Sequence, residues 1–220
     1  MEITWFGHSC FRLTERNVAT IVTDPFDKSI GLAIPRLRAD IVTISHDAPG
    51  HNNLDAVRSA RPVVGPGEYE IGGVFITGVP TRQNPKDGAN GKSRSGPALK
   101  NTIYVFDFDG LTVCHLGDLD HVPSQSRVEA LGTVDVLLVP IGGGNGLNAS
   151  QAAEMISLIE PAVVVPMHFK TANVKLKLDS PNKFLKEMGL AKSTPEDNLK
   201  VTKSSLPDET QVVVLKPKGG

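Results

Sequence analysis

Thr43–Asp55 reads TISHDAPGHNNLD and continues the apolar run ADIV, residues 39–42. A buried strand therefore runs out into a loop carrying two histidines five apart, His46 and His51, with Pro49-Gly50 between them. On a regular helix five residues turn through roughly 140°, which would point the two rings away from each other. In a loop turned by Pro49-Gly50 both can face one ion. The stretch looks like half of a metal-binding loop, and its reading decides how the rest of the chain is read.

Outward from it, strand signals dominate the first half. Glu2 to Phe6, Cys10 to Thr14 and Ala19 to Thr23 read as consecutive strands of a meander, and Ala39 to Ser45 as a more deeply buried strand. Leu54 to Ser59 reads as a short helix with Asn52 or Asn53 as N-cap. Pro62 to Gly65 and Tyr69 to Thr77 read as strands, the second broken at Gly72-Gly73. Thr81 to Lys100 is polar, rich in Gly, Ser and Pro, and has no apolar period, so an exposed loop is expected. It contains GANGKS, which is like the end of a phosphate-binding loop. Lys86 stands where that motif needs a glycine, and no helix pattern follows.

Asn101 to Phe108 and Leu111 to Leu116 form a hairpin about Asp109-Gly110. A helix over Ser124 to Ala130, a buried strand over Val134 to Val139 and the loop GGGNG (Gly142 to Gly146) come next. Then come a helix over Ser150 to Ile159, capped by Ser150 or Asn148, and a buried strand over Ala162 to Pro166. A helix over Asn182 to Met188, stopped by Gly189, and a last strand over Gln211 to Leu215 complete the pattern. No short repeat or linker divides the chain. One domain over residues 1–220 is expected, with sheets in the middle and helices outside.

Twenty-three basic and 24 acidic residues leave a formal charge of −1. That balance lacks the basic face that nucleic acid or an anionic membrane requires. No apolar run approaches the ~20 residues of a membrane span, and MEITWFGHSCFRL lacks the order of a signal peptide. Cys10 and Cys114 have no metal or redox spacing and read as reduced core thiols. The expectation is a cytoplasmic protein acting on a small molecule.

The six histidines are His8, His46, His51, His115, His121 and His168. His46, His51, His121 and His168 fall just after a strand or in the loop that follows it, where a sheet exposes its chemistry. One such histidine is usually structural; several with an Asp are what a metal site requires. Asp118, in HLGDLD, supplies that carboxylate. His168, in VVVPMHFKT, is the strongest single candidate, because an apolar strand delivers it and Pro166 fixes the backbone before it. His51 at a helix start would be held neutral by the dipole. His115 reads as core or support. His8, in WFGHSCF, and Asp24, in IVTDPFD, read as groups that orient a ligand ring.

Taken in order, WFGHSCF, IVTDPF, SHDAPGH, HLGDL and PMHFKT resemble the metallo-β-lactamase superfamily, and within it the branch similar to ascorbate-6-phosphate lactonase. The resemblance spans nearly the whole chain. It implies an α+β fold, an αββα sandwich of two mixed β-sheets flanked by helices. It also implies two metals held by a His-x-His-x-Asp-His loop, a later bridging Asp and further histidines. Carried over, His46 and His51 match the first and last loop histidines, Asp118 the bridging Asp and His168 the final His. Ala48 stands where the second loop His belongs and Gly50 where the loop Asp belongs. Thr81-Arg82-Gln83-Asn84 contains no intermediate His.

His51, Asp118 and His168 therefore remain as a three-ligand set, with His46 beside it. Such a set suits one divalent metal, zinc first, with manganese or iron(II) also compatible. The function expected is a metal-dependent hydrolase of a small substrate, anionic ones included, with Asp118 at the ion and Asp47 and His121 as candidate proton carriers. Arg82, Lys86, Lys92, Arg94 and Lys100 could steer an anion. The competing reading is a non-catalytic protein of the same fold that binds a small molecule or partner. A cysteine hydrolase using Cys10 or Cys114 with His8 or His115 is a third. Ala48→His with Gly50→Asp is expected to restore the loop unless Gly50 needs a positive φ.

Overall fold

Ile21 and Val22 are neighbours in one strand and both are fully buried, yet they belong to different cores. Side chains alternate across a strand, so this strand has apolar matter on both faces. The structure, a computed structural model, describes residues 1–82 and 100–218. GANGKS and Lys86, Lys92 and Arg94 lie outside the described residues, as do the side chains of Arg82 and Lys100.

Two mixed sheets pack face to face. The first has the order Leu199–Lys200, Glu2–Gly7, Cys10–Thr14, Ile21–Thr23, Ile41–Ile44, Arg61–Val64. The second has the order Gln211–Val212, Val163–Met167, Val136–Pro140, Leu111–His115, Lys100–Phe108, Val74–Arg82, Gly67–Ile71. Ile3, Trp5, Phe11, Leu13 and Ile41 of the first meet Ile76, Tyr104, Phe106 and Leu137 of the second in one core. Each large side chain so buried is worth roughly 1.5–3 kcal/mol. Outside the second sheet lies Ala149–Ile159, which packs on Val136–Pro140 and against the helices Gln125–Glu129 and Pro181–Glu187. The other face of the first sheet carries Phe6, Cys10, Val22, Val42 and Ile44. It is covered by Ile30, Leu32, Leu37 and Val174 rather than by an α-helix.

The expected sandwich of two mixed sheets with flanking helices is the observed one, except that among the described residues the α-helices all lie on the second sheet's side. Local differences have local causes. Leu54 to Ser59 is a 3-10 turn, Leu54–Ala56, followed by a strand, Val57–Arg58, that pairs with Leu37–Arg38. The Asn53 side chain does not cap that turn; it donates to the Phe26 carbonyl at 3.0 Å. Gly72-Gly73 forms a hairpin turn between two strands rather than a bulge in one. Backbone pairing of Arg82 with Lys100 carries the ladder into both ends of the expected loop. Asn148, not Ser150, caps Ala149–Ile159, because Gln151 completes a capping box with it. Cys10 and Cys114 are free and buried. Among the described residues no helix is long and apolar enough to cross a membrane.

Candidate metal centre

The histidines and acids are brought together by strand ends from both sheets. Glu2–Gly7 and Cys10–Thr14 are joined by the tight turn carrying His8. Trp5 is fully buried, and its indole Nε1 donates to the His8 carbonyl at 3.1 Å. The same carbonyl accepts the His168 N–H at 3.0 Å, which ties the end of Val163–Met167 to the first turn. His8, Asp24 and His168 have φ of 52°, 38° and 52°, a region that non-glycine residues seldom occupy. Strained backbone of this kind persists where the surrounding structure over-determines it.

Glycines make the approach possible. A Cβ on Gly142 would overlap the His168 carbonyl oxygen, so the two backbones can pass only with glycine there. Gly117, at φ 60°, has Asn101 Oδ1 where a Cβ would stand. Asn101 Oδ1 instead accepts the Asp118 N–H at 3.0 Å, and its Nδ2 donates to Thr81 Oγ1 and the Leu116 carbonyl. This buried asparagine was not singled out in the sequence. Its signal is an amide opening a strand, where such residues are rare.

Asp118 lies at the middle of the cluster. Its Oδ1 is 3.1 Å from His168 Nε2, and its Oδ2 is 3.3 Å from His51 Nε2 and 3.7 Å from His46 Nε2. His51 Nδ1 meets Asp24 Oδ2 at 2.8 Å, which turns Nε2 towards Asp118. Asp24 also accepts the Ser45 N–H and hydroxyl. His8 Nε2 is 3.1 Å from His51 Nε2, and its ring centroid is 4.2 Å from that of His168. Asp118 Oδ1, His8 Nδ1 and His168 Nδ1 are buried without a hydrogen-bond partner. The four residues matched from the resemblance thus converge. Asp24 orients a ring as expected, whereas His8 brings its own Nε2 into the cluster.

Asp47 and His121 are placed differently. Asp47 is exposed and accepts from Asn52 Nδ2 within its own loop. His121 Nδ1 pairs with Asp120 Oδ1 at 2.8 Å. His115 is fully buried, and its Nε2 meets the Ser9 carbonyl at 2.9 Å.

The electrostatics point to a place for a cation. Burial alone would lower the His51 pKa, but the Asp118 and Asp24 carboxylates outweigh it and hold the ring up at about 10. This corrects the expectation of a neutral ring held by a helix dipole: the 3-10 turn has three residues and two carboxylates flank the imidazole. Burial would raise the Asp118 carboxyl, yet His168 and His51 hold it well below its ordinary range. Burial, reinforced by His168 and His51, pushes His8 well down. Burial and His51 also lower His46.

A metal set fits this donor chemistry. Two ligands on a tetrahedral zinc with ~2.0–2.1 Å bonds lie about 3.3 Å apart. Asp118 reaches His51 Nε2 through Oδ2 at 3.3 Å and His168 Nε2 through Oδ1 at 3.1 Å, so each imidazole lies at about that spacing from one carboxylate oxygen. Two further groupings have one donor atom from each residue within 4.8 Å of the others: His8, His51 and His168, and Asp24, His46 and His51. Asp24 is a poor ligand there, because Ser45 and His51 already occupy its oxygens. The cysteine reading fails, since burial pushes the Cys114 thiol up to about 12 and drives Cys10 well above its ordinary value.

Residues 2–168 match the family model of the β-lactamase superfamily domain. A UPF0173 protein of Pyrococcus furiosus is 29% identical over 214 residues, covering 86% of this chain and 90% of that one. A UPF0173 metal-dependent hydrolase of Archaeoglobus fulgidus is 25% identical over 247 residues, covering 99% and 96%. A Thermotoga maritima protein, assigned as a zinc-dependent hydrolase of the metallo-β-lactamase superfamily, superposes with a TM-score of 0.76 at 39% identity. Each of those two chains is covered to 97%. None of these three names points to the narrower branch similar to ascorbate-6-phosphate lactonase.

Proposed function

The chain belongs to the metallo-β-lactamase superfamily, and from that premise we propose that it is a metal-dependent hydrolase of a small substrate, working through one divalent ion at His51, Asp118 and His168. The observation that carries this reading is Asp118, whose buried carboxylate stands 3.3 Å from one imidazole and 3.1 Å from another, with Oδ1 otherwise unpartnered. Zinc suits such a set, in keeping with the name of the Thermotoga relative; two His and a carboxylate also suit manganese or iron(II). A bound ion would polarise a carbonyl or phosphoryl oxygen and bring the pKa of water towards ~7.

The chain's own groups prepare the site. Asp24 fixes the His51 ring from behind. Asn101 fixes the Asp118 backbone. His46 is less buried than His8, His51, Asp118 and His168, so substrate would approach from its side. Asp47 and His121, both outside the buried cluster, are the proposed proton carriers; both are positioned by neighbours and reachable by solvent. A cytoplasmic location accords with two free, buried thiols. The test is metal content after growth in zinc-supplemented medium, followed by assays on ester, lactone and phosphoester panels with and without chelator. Retained metal with chelator-sensitive hydrolysis supports the reading.

One observation favours the non-catalytic alternative. The space beside Gly50 is filled by the His8 ring rather than left open. Absence of retained metal from the folded protein would select that alternative.

A further inference from the structure

The turn carrying His8 lies far in sequence from the loop carrying His51, yet its ring enters the same cluster. A Cβ built on Gly50 would meet His8 Nε2 at 2.8 Å and His8 Cδ2 at 3.2 Å. Gly50 does not hold a positive φ, so the glycine serves space and not backbone conformation. One ring nitrogen from each of His8, His51 and His168 lies within 4.8 Å of the other two. The His8–His51 separation of 3.1 Å is close to the ~3.3 Å edge of a zinc tetrahedron.

We propose that His8 is a protein ligand of the ion, completing a set with His51, Asp118 and His168, and that Gly50 is required because the His8 ring occupies the space beside it. The inference rests on the metal reading above and changes its composition. A hydrogen bond between His8 Nε2 and His51 Nε2 at 3.1 Å is the plain alternative, and it accounts for that one contact. It leaves His8 Nδ1 buried without a partner and does not account for the gathering of a ring nitrogen from each of His8, His51 and His168. The His8 carbonyl, which accepts from both the Trp5 indole and the His168 N–H, fixes where the ring stands. Imidazoles gathered nitrogen to nitrogen around a carboxylate are an arrangement that a cation joins. With His8 in the set, four side chains would hold the ion, and substrate would reach it from the side of the less buried His46.

The test uses full-length protein freed of metal by chelator dialysis. It is titrated with Zn²⁺ by calorimetry and with Co²⁺ by visible absorption, whose intensity reports tetrahedral coordination. His8→Asn keeps a residue type that tolerates the left-handed backbone. Gly50→Ala leaves His8 in place but pushes its ring away. Thermal unfolding of the metal-free variants checks the fold. The parent should bind one equivalent. His8→Asn should weaken Zn²⁺ by more than ~100-fold, beyond the 10–100-fold cost of losing a group that only orients a ligand. It should also alter the Co²⁺ spectrum, and Gly50→Ala should shift both readouts in the same direction. Gly50→Asp in a His8→Ala background should regain affinity, because a carboxylate then enters the vacated space. A metal-binding parent whose Co²⁺ spectrum survives both single substitutions would show that His8 is not a ligand, with the three-ligand reading intact. A folded parent that binds neither ion would defeat the metal reading and this inference with it.

Discussion

His8 Nε2 and His51 Nε2 lie 3.1 Å apart, although 43 positions separate them and each is delivered by a different connection of the first sheet. Two buried imidazoles so close repel each other when both are charged. Burial and the neighbouring histidines push His8 well down, while the Asp118 and Asp24 carboxylates hold His51 up, so the pair offers one cationic partner and one free donor nitrogen.

Stoichiometry follows from that arrangement. Elemental analysis after exhaustive dialysis should give one zinc per chain, and His168→Ala should lose most of it. Two equivalents would place a second ion at Asp24, His46 and His51, the grouping whose carboxylate is already engaged.

The contact between Asp24 and His51 makes a graded prediction. Asp24→Asn keeps the shape and removes the charge that orients Nε2. Zinc affinity should fall by roughly 10–100-fold with one equivalent still bound. An unchanged dissociation constant would show that the His51 ring needs no support.

For the ion-free protein, pH dependence can be read by sign. The His51 pKa lies at about 10 in the folded state against 6.5 ordinarily. Its contribution to stability is full below 6.5 and is lost as pH rises towards 10. His8, His46 and His115 are lowered, so they favour the fold above 6.5 and oppose it as pH falls below that value. Urea midpoints in the presence of chelator should therefore peak near neutrality. His51→Gln should flatten the decline between about pH 7 and 10; a parallel decline in parent and variant would remove His51 as its cause.

Gly142→Ala tests the close backbone approach. The added Cβ would meet the His168 carbonyl, which is backbone and cannot swing aside. A loss on the order of 2–3 kcal/mol in urea unfolding is expected, with weakened metal binding. Wild-type stability would mean the strand ends separate easily.

Asn101→Ala removes three hydrogen bonds made by one buried side chain. It leaves the Asp118 N–H and the Leu116 carbonyl without it, at a cost of about 2–4 kcal/mol from unsatisfied buried groups. Zinc affinity should fall as well, because Asp118 loses its anchor. A stability change without an affinity change would confine Asn101 to the fold.

The restoration of the opening loop now carries a condition. Ala48→His with Gly50→Asp has to displace the His8 ring, because any Cβ added at Gly50 would stand 2.8 Å from His8 Nε2, so calorimetric zinc affinity should rise more when His8→Ala is added. The expected obstacle was a positive φ at Gly50; the obstacle found is a side chain from another turn.

Much of the architecture was legible in sequence because it rests on local periodicity. The runs VLLVP and VVVPM are buried at every position and pair in parallel, as continuous apolar strands do. The hairpin at Asp109-Gly110 follows from turn chemistry. Residue types and strand-end positions pointed to His46, His51, His121, Asp118 and His168, and the family resemblance selected the four of these that converge. What lay beyond sequence was everything set by contacts between distant segments. Only packing of the two sheets brings Asp118 and His168 from one and His8, Asp24 and His51 from the other to common distances. Local pattern specifies which face a residue takes, but the meeting of two faces depends on the register and approach of strands that share no local signal. His8 therefore reads in sequence as a supporting group, and only the closed sandwich places its nitrogen among the ligands.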